Sequence, residues 1–180
     1  MGPGNPSGRE GMMAGGMAML AALLAMQLLS RIIGPQPMLT DYLAPLAQDG
    51  IDSLPGDFTR FLMNGDDNFS RMVVLLVVLL VMVGAGLGAW SNAAPGFISH
   101  RAMQSAAIVL FGSLVLLYSA NRQTVENYLQ QIAITLALSC LVFAFTLNWL
   151  LQANLSPHRW RIGVAVSLIS VIVIGYDVFA

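Results

Sequence analysis

The chain offers chemistry few residues: two histidines, one cysteine, nine carboxylates and eight basic side chains, all of them arginine. A b-type haem needs imidazoles within its helices, and both His100 and His158 fall in short polar connectors. They are expected to meet solvent or lipid headgroups. Cys140 stands alone in an apolar run, which rules out an internal disulfide, a Cys-x-x-Cys-His attachment and a cysteine cluster for zinc or iron–sulfur. Six carboxylates, Asp41, Asp49, Asp52, Asp57, Asp66 and Asp67, crowd into the stretch between Arg31 and Arg71, with Arg60 as the one basic residue between those two. That imbalance repels anions and favours a basic partner surface. No phosphate-binding glycine loop, Ser/His/Asp order or pair of intramembrane carboxylates appears. The expectation is a chain that is not an enzyme by itself, with no catalytic residues, no metal ligands and no cofactor of its own.

The elements that would position these residues are membrane spans. A composition of 57% hydrophobic and 9% charged residues, with a mean hydropathy of +0.73, lies far from soluble usage. Residues 72–90, MVVLLVVLLVMVGAGLGAW, carry no charge and are long enough to cross a hydrocarbon core of ~30 Å as a helix. Comparable runs occupy residues 11–33, 103–120, 129–151 and 162–178. These runs are continuous, whereas barrel strands would alternate over ~10 residues, so the fold class is all-α. We expect one membrane domain over 1–180, an integral bundle of five transmembrane helices with consecutive helices as antiparallel neighbours. Residues 11–33 exceed a signal peptide's apolar core and close on Arg31 and Gly34-Pro35, which predicts a retained anchor.

The connector 34–71 is long enough for structure of its own. Thr40, Asp41 and Gly50 mark the start and stop of one short amphipathic helix, while Phe58, Phe61 and Leu62 mark the apolar face of another. They would lie on the membrane face or cap the helix ends. Asp57, Phe58, Phe61, Asp66 and Asp67 are the partner-contact candidates. Within the spans, Gly84 and Gly88 form a G-x-x-x-G face, and Ala133 and Ala137 a weaker one beside Thr135 and Ser139. Both predict close helix packing, inside this bundle in preference to a partner. Trp90, Trp149, Trp160 and Tyr128 sit near span ends as belt anchors. Arg31, Arg122 and Asp177 also lie near span ends, within reach of the interface by snorkelling. With no ionisable residue at mid-span, transport or channel function is disfavoured.

The stretch RIIGPQPMLTDYLAPLAQDGIDSLPGDFTRFL, followed by the span at 72–90, resembles the N-terminal membrane region of bacterial molybdopterin-dependent, sulfite-oxidase-like oxidoreductases. The similarity is carried by Gly34-Pro35, Pro37, Asp41, Leu54-Pro55-Gly56 and Phe58, and by Arg159-Trp160-Arg161 ahead of the last span. In that family such helices precede an extracytoplasmic catalytic domain. The resemblance implies the anchor part alone, a separate subunit or a fragment, because the chain stops at Ala180 and Cys140 sits where it cannot ligate molybdenum.

Three functional readings follow. The first is a non-catalytic multi-span membrane subunit that anchors or assembles a larger redox or energy-converting complex. The second is the membrane domain of a molybdopterin-dependent oxidoreductase whose catalytic domain lies elsewhere. The third is a pigment- or quinone-contacting accessory subunit of a photosynthetic or respiratory complex. Expected partners are other membrane subunits and the bilayer, and no nucleic acid, since no basic patch is present. The arginines divide equally between the two sides of the membrane, and the densest short-loop cluster, His158-Arg159-Trp160-Arg161, is expected on the cytoplasmic side, which places the N-terminus in the cytoplasm of a bacterial inner membrane.

Overall fold

The computed structural model describes residues 7–33, 55–56, 68–93, 98–120, 122–152 and 157–179. Among them are five long helices and no strand: α1 (Gly8–Ile33), α2 (Asn68–Ala93), α3 (Ile98–Ala120), α4 (Arg122–Gln152) and α5 (Pro157–Phe179). All five are long and apolar enough to span a membrane. The side chains turned outward fit that solvent. Phe111, Phe145 and Ile172 are each about 70% exposed, which is ordinary against lipid and costly against water. The connector helices expected between α1 and α2 lie outside the described residues.

Every helix overruns its apolar run, because hydropathy marks the hydrocarbon depth while backbone bonding continues to the next cap. At the start of α1 a capping box does this. The Ser7 backbone N–H donates to Glu10 Oε2 at 2.6 Å, and the Glu10 N–H lies 3.4 Å from Ser7 Oγ. Pro157 opens α5, where its missing N–H costs nothing. The connector expected at 121–128 is instead helical from Arg122, with Tyr128 departing from helical geometry (φ −121°, ψ 19°) where the apolar part of α4 begins. Arg122 Nε donates to Glu126 Oε1 at 2.7 Å and its guanidinium lies 5.7 Å from the Tyr118 ring centroid, which stabilises this polar turn at the membrane edge.

α1 is the centre of the bundle and packs against α2, α4 and α5, while α3 packs on α4. Sequence explains the choice. α1 is built of Gly, Ala and Met, so neighbours approach it closely from several sides, and Ala14, Ala18, Met19, Leu23 and Met26 are buried. α4 supplies the other half of the core through Ile132, Leu136, Phe143, Leu147 and Leu150, a stripe at three- and four-residue spacing. The expectation that consecutive helices are neighbours needs correction for α4 and α5. They meet near their joined ends, where Leu150 approaches Gly163, and α5 then lies along α1. α2 and α3 also touch sparingly, but Ser91 and Ser105, both buried, share a hydrogen bond at 2.9 Å. Ser105→Ala should strand the Ser91 hydroxyl and cost about 0.6 kcal/mol, and the Ser91→Ala, Ser105→Ala double variant should recover part of it. Thermal melts of the three variants in detergent check this; strictly additive losses would contradict it.

Candidate functional site: the polar clasp and the glycine seam of α1

Two features of α1 hold the bundle together. The first is a seam of glycines. Gly11 and Gly15 on α1 face Gly88 and Gly84 on α2, with the helices running antiparallel. A Cβ placed on Gly11 would lie 2.8 Å from the Gly88 carbonyl oxygen, and one on Gly15 would lie 2.9 Å from Gly88 Cα. One on Gly84 would lie 2.6 Å from Met19 Cβ. Side chains have no room there, so the two backbones are in contact. The G-x-x-x-G face of α2 is thus spent within the bundle, against a G-x-x-x-G face of α1 that sequence reading overlooked. Gly86, between the two packed glycines, has nothing within 4 Å of its Cβ position.

The second feature is a polar clasp between α1 and α5. Asp177 accepts a hydrogen bond from Gln27 Nε2 at 2.8 Å through Oδ2, and Arg31 donates to its Oδ1. Its side chain is 8% exposed, against 49% for Arg31. The snorkelling expected of Asp177 is therefore corrected: the carboxylate turns inward to α1. The reason is energetic, since a buried carboxylate is tolerated where a countercharge and hydrogen bonds replace its water. Arg31 supplies the charge while keeping half its surface outside, and Gln27, fully buried, supplies the second bond. The signal was legible in principle, because Gln27 is the strongest polar residue inside the first apolar run. Gln27 Oε1 is buried with no hydrogen-bond partner among the described residues, as is Asn148 Oδ1 on α4.

The opposite end of the bundle is rimmed by arginine on tryptophan. Arg101 lies 5.0 Å from the Trp90 ring centroid and Arg159 lies 5.3 Å from that of Trp149. Arg159 Nη1 also donates to the Trp149 carbonyl at 3.1 Å, satisfying an acceptor that the last turn of α4 leaves open. His100 and His158 lie in the first turns of α3 and α5, both exposed, and Gln104 Nε2 lies 3.0 Å from His100 Nε2. Cys140 is buried in α4. Among the described residues no three His, Cys, Asp or Glu side chains gather as a metal would require.

Of the other candidates, Ala133 and Ala137 are half-buried on the flank of the α4 core stripe, and Thr135 and Ser139 lie within it. Ser139 Oγ donates to the Thr135 carbonyl at 2.8 Å, so its polarity is spent on its own helix. Asp57, Phe58, Phe61, Asp66 and Asp67 lie outside the described residues. The arrangement as a whole can fix helices in register and hold one charged pair at the membrane edge. Comparison with known proteins found no match among family models, curated proteins or solved structures.

Proposed function

We propose that this chain is a non-catalytic, multi-span membrane subunit that anchors or assembles a larger redox or energy-converting complex in the bacterial inner membrane, with its N-terminus in the cytoplasm. The observation that carries the reading is how its intramembrane polar groups are used. Gln27, Asp177 and Arg31 tie α1 to α5, and Ser91 ties α2 to Ser105 of α3, while Ser139, Ser167 and Ser170 bond back to their own helices, so these polar groups join or brace helices. A bundle stitched in this way is suited to serve as a platform. Its outer helices support the same reading. In α5 17% of the span is buried within the chain, and in α2 and α3 22%, against 56% for α1, which leaves broad apolar faces for lipid or partner helices. The redox class rests on the resemblance of the 31–62 segment to molybdopterin-dependent oxidoreductase anchors.

The acidic connector is the part of this reading most open to mutation. Asp66→Asn with Asp67→Asn should leave membrane insertion intact and weaken partner retention, most visibly as salt is lowered from values where the ~8 Å screening length already masks the field. Partner recovery from mild detergent across a salt series measures it. Equal recovery from both proteins at every salt concentration would remove the connector from the interface.

A further inference from the structure

Charge is divided unevenly along the bundle. Asn92 Nδ2 donates to the Ser7 carbonyl at 3.0 Å, Arg101 stacks on Trp90 and Arg159 on Trp149, so α1, α3 and α5 begin at the end where α2 and α4 finish. Arg9, Arg101, Arg159 and Arg161 belong to this end, with Glu10 as its one carboxylate, and the other eight carboxylates fall elsewhere in the sequence. Glu10 is engaged by the Ser7 N–H as a helix cap. The tryptophan rings and the Trp149 carbonyl orient Arg101 and Arg159 and neutralise neither. Arg9 and Arg161 are exposed. The end as a whole is therefore net positive, whatever each guanidinium touches. Apolar surface begins at once below it: Met103, two residues beyond Arg101, and Ile162, next to Arg161, are both exposed.

We propose that this end of the bundle selects anionic phospholipids, gathering their headgroups around the four arginines while their acyl chains lie against the exposed first turns of α3 and α5. The inference goes beyond the subunit reading and holds whichever chains assemble on the bundle. It rests on charge complementarity. The partner must be negative at the level of the arginines and apolar within a turn of them, which is the distribution of an anionic lipid, and arginines at an interface attract such headgroups while their stems cover apolar surface. An acidic soluble protein would match the charge and leave Met103 and Ile162 against water.

The chain supplies its own probe, because all three of its tryptophans, Trp90, Trp149 and Trp160, belong to this end. The full chain is reconstituted in phosphatidylcholine bilayers containing a minor fraction of phosphatidylglycerol or phosphatidylcholine with identical brominated acyl chains, and quenching of tryptophan fluorescence reads which lipid gathers there. Brominated phosphatidylglycerol should be preferred about fivefold at low salt, and the preference should fall as salt screens the field. Arg9→Gln with Arg161→Gln should bring it to roughly twofold. Glu10→Gln, whose amide oxygen can still cap the Ser7 N–H, should strengthen it, a gain that misfolding cannot produce and that decides the matter should the arginine variant lose its helical circular dichroism. Equal quenching by the two lipids at low salt would overturn the proposal and leave the arginines to an acidic protein partner. An unchanged preference in a folded arginine variant, or no gain in Glu10→Gln, would overturn it as well.

Discussion

Gly15→Leu and Gly88→Leu are each expected to destabilise the bundle by about 3 kcal/mol, the upper part of the range for overpacking a tight interface. The magnitude follows from what the new side chain meets. At Gly15 and Gly88 even a Cβ falls within 3 Å of backbone atoms of the facing helix, and backbone cannot rotate away as a side chain can. α1 and α2 would have to separate, and the loss would spread because α1 also carries α4 and α5. Gly86→Leu supplies the control. Two residues from Gly88 on the same helix, it points into open space and should change stability by less than ~0.5 kcal/mol. Thermal denaturation in detergent separates the cases. Leucine forms helix more readily than glycine, so equal losses at Gly86 and Gly88 would contradict close approach along the seam as the cause.

Arg31→Ala should cost about 2–3 kcal/mol. This sits between the ~1 kcal/mol of an exposed ion pair and the ~3–5 kcal/mol for removing one partner of a buried pair, since Asp177 is buried and Arg31 half-exposed. Asp177→Ala should cost about 1–2 kcal/mol, because Gln27 then keeps an unpaired amide while Arg31 can reach headgroups. The double variant should lose less than the sum of the two, the signature of a direct contact. Strict additivity in melting experiments would show that the clasp contributes nothing as a pair.

The spans were legible because the bilayer imposes a single long-range rule: about twenty residues without charge, read directly from composition along the chain. Their ends were not, since the helices stop where caps such as Ser7 and Glu10 or a break such as Tyr128 decide, and these signals are short and polar. The packing face of Gly84 and Gly88 was visible in the sequence, yet its counterpart at Gly11 and Gly15 merged into a run of small residues whose orientation only the fold reveals. Asp177 and Arg31 lie 146 positions apart, and each by itself looked like a residue reaching for the interface. Their pairing depends on α1 and α5 lying side by side, whereas the short loop between α4 and α5 pointed to α4 as the neighbour of α5. The partner-contact candidates Asp57, Phe58, Phe61, Asp66 and Asp67 belong to the connector and rest on charge and spacing alone.

The claim that this chain serves as a platform for other subunits is tested most directly by the particle that leaves the membrane with it. Extraction in mild detergent, followed by size-exclusion chromatography with light scattering and identification of every co-eluting chain, measures its mass and composition. The account predicts a particle heavier than one 19.3 kDa chain, containing a second polypeptide in fixed stoichiometry that persists through purification. A monodisperse monomer accompanied by lipid and detergent alone would contradict it.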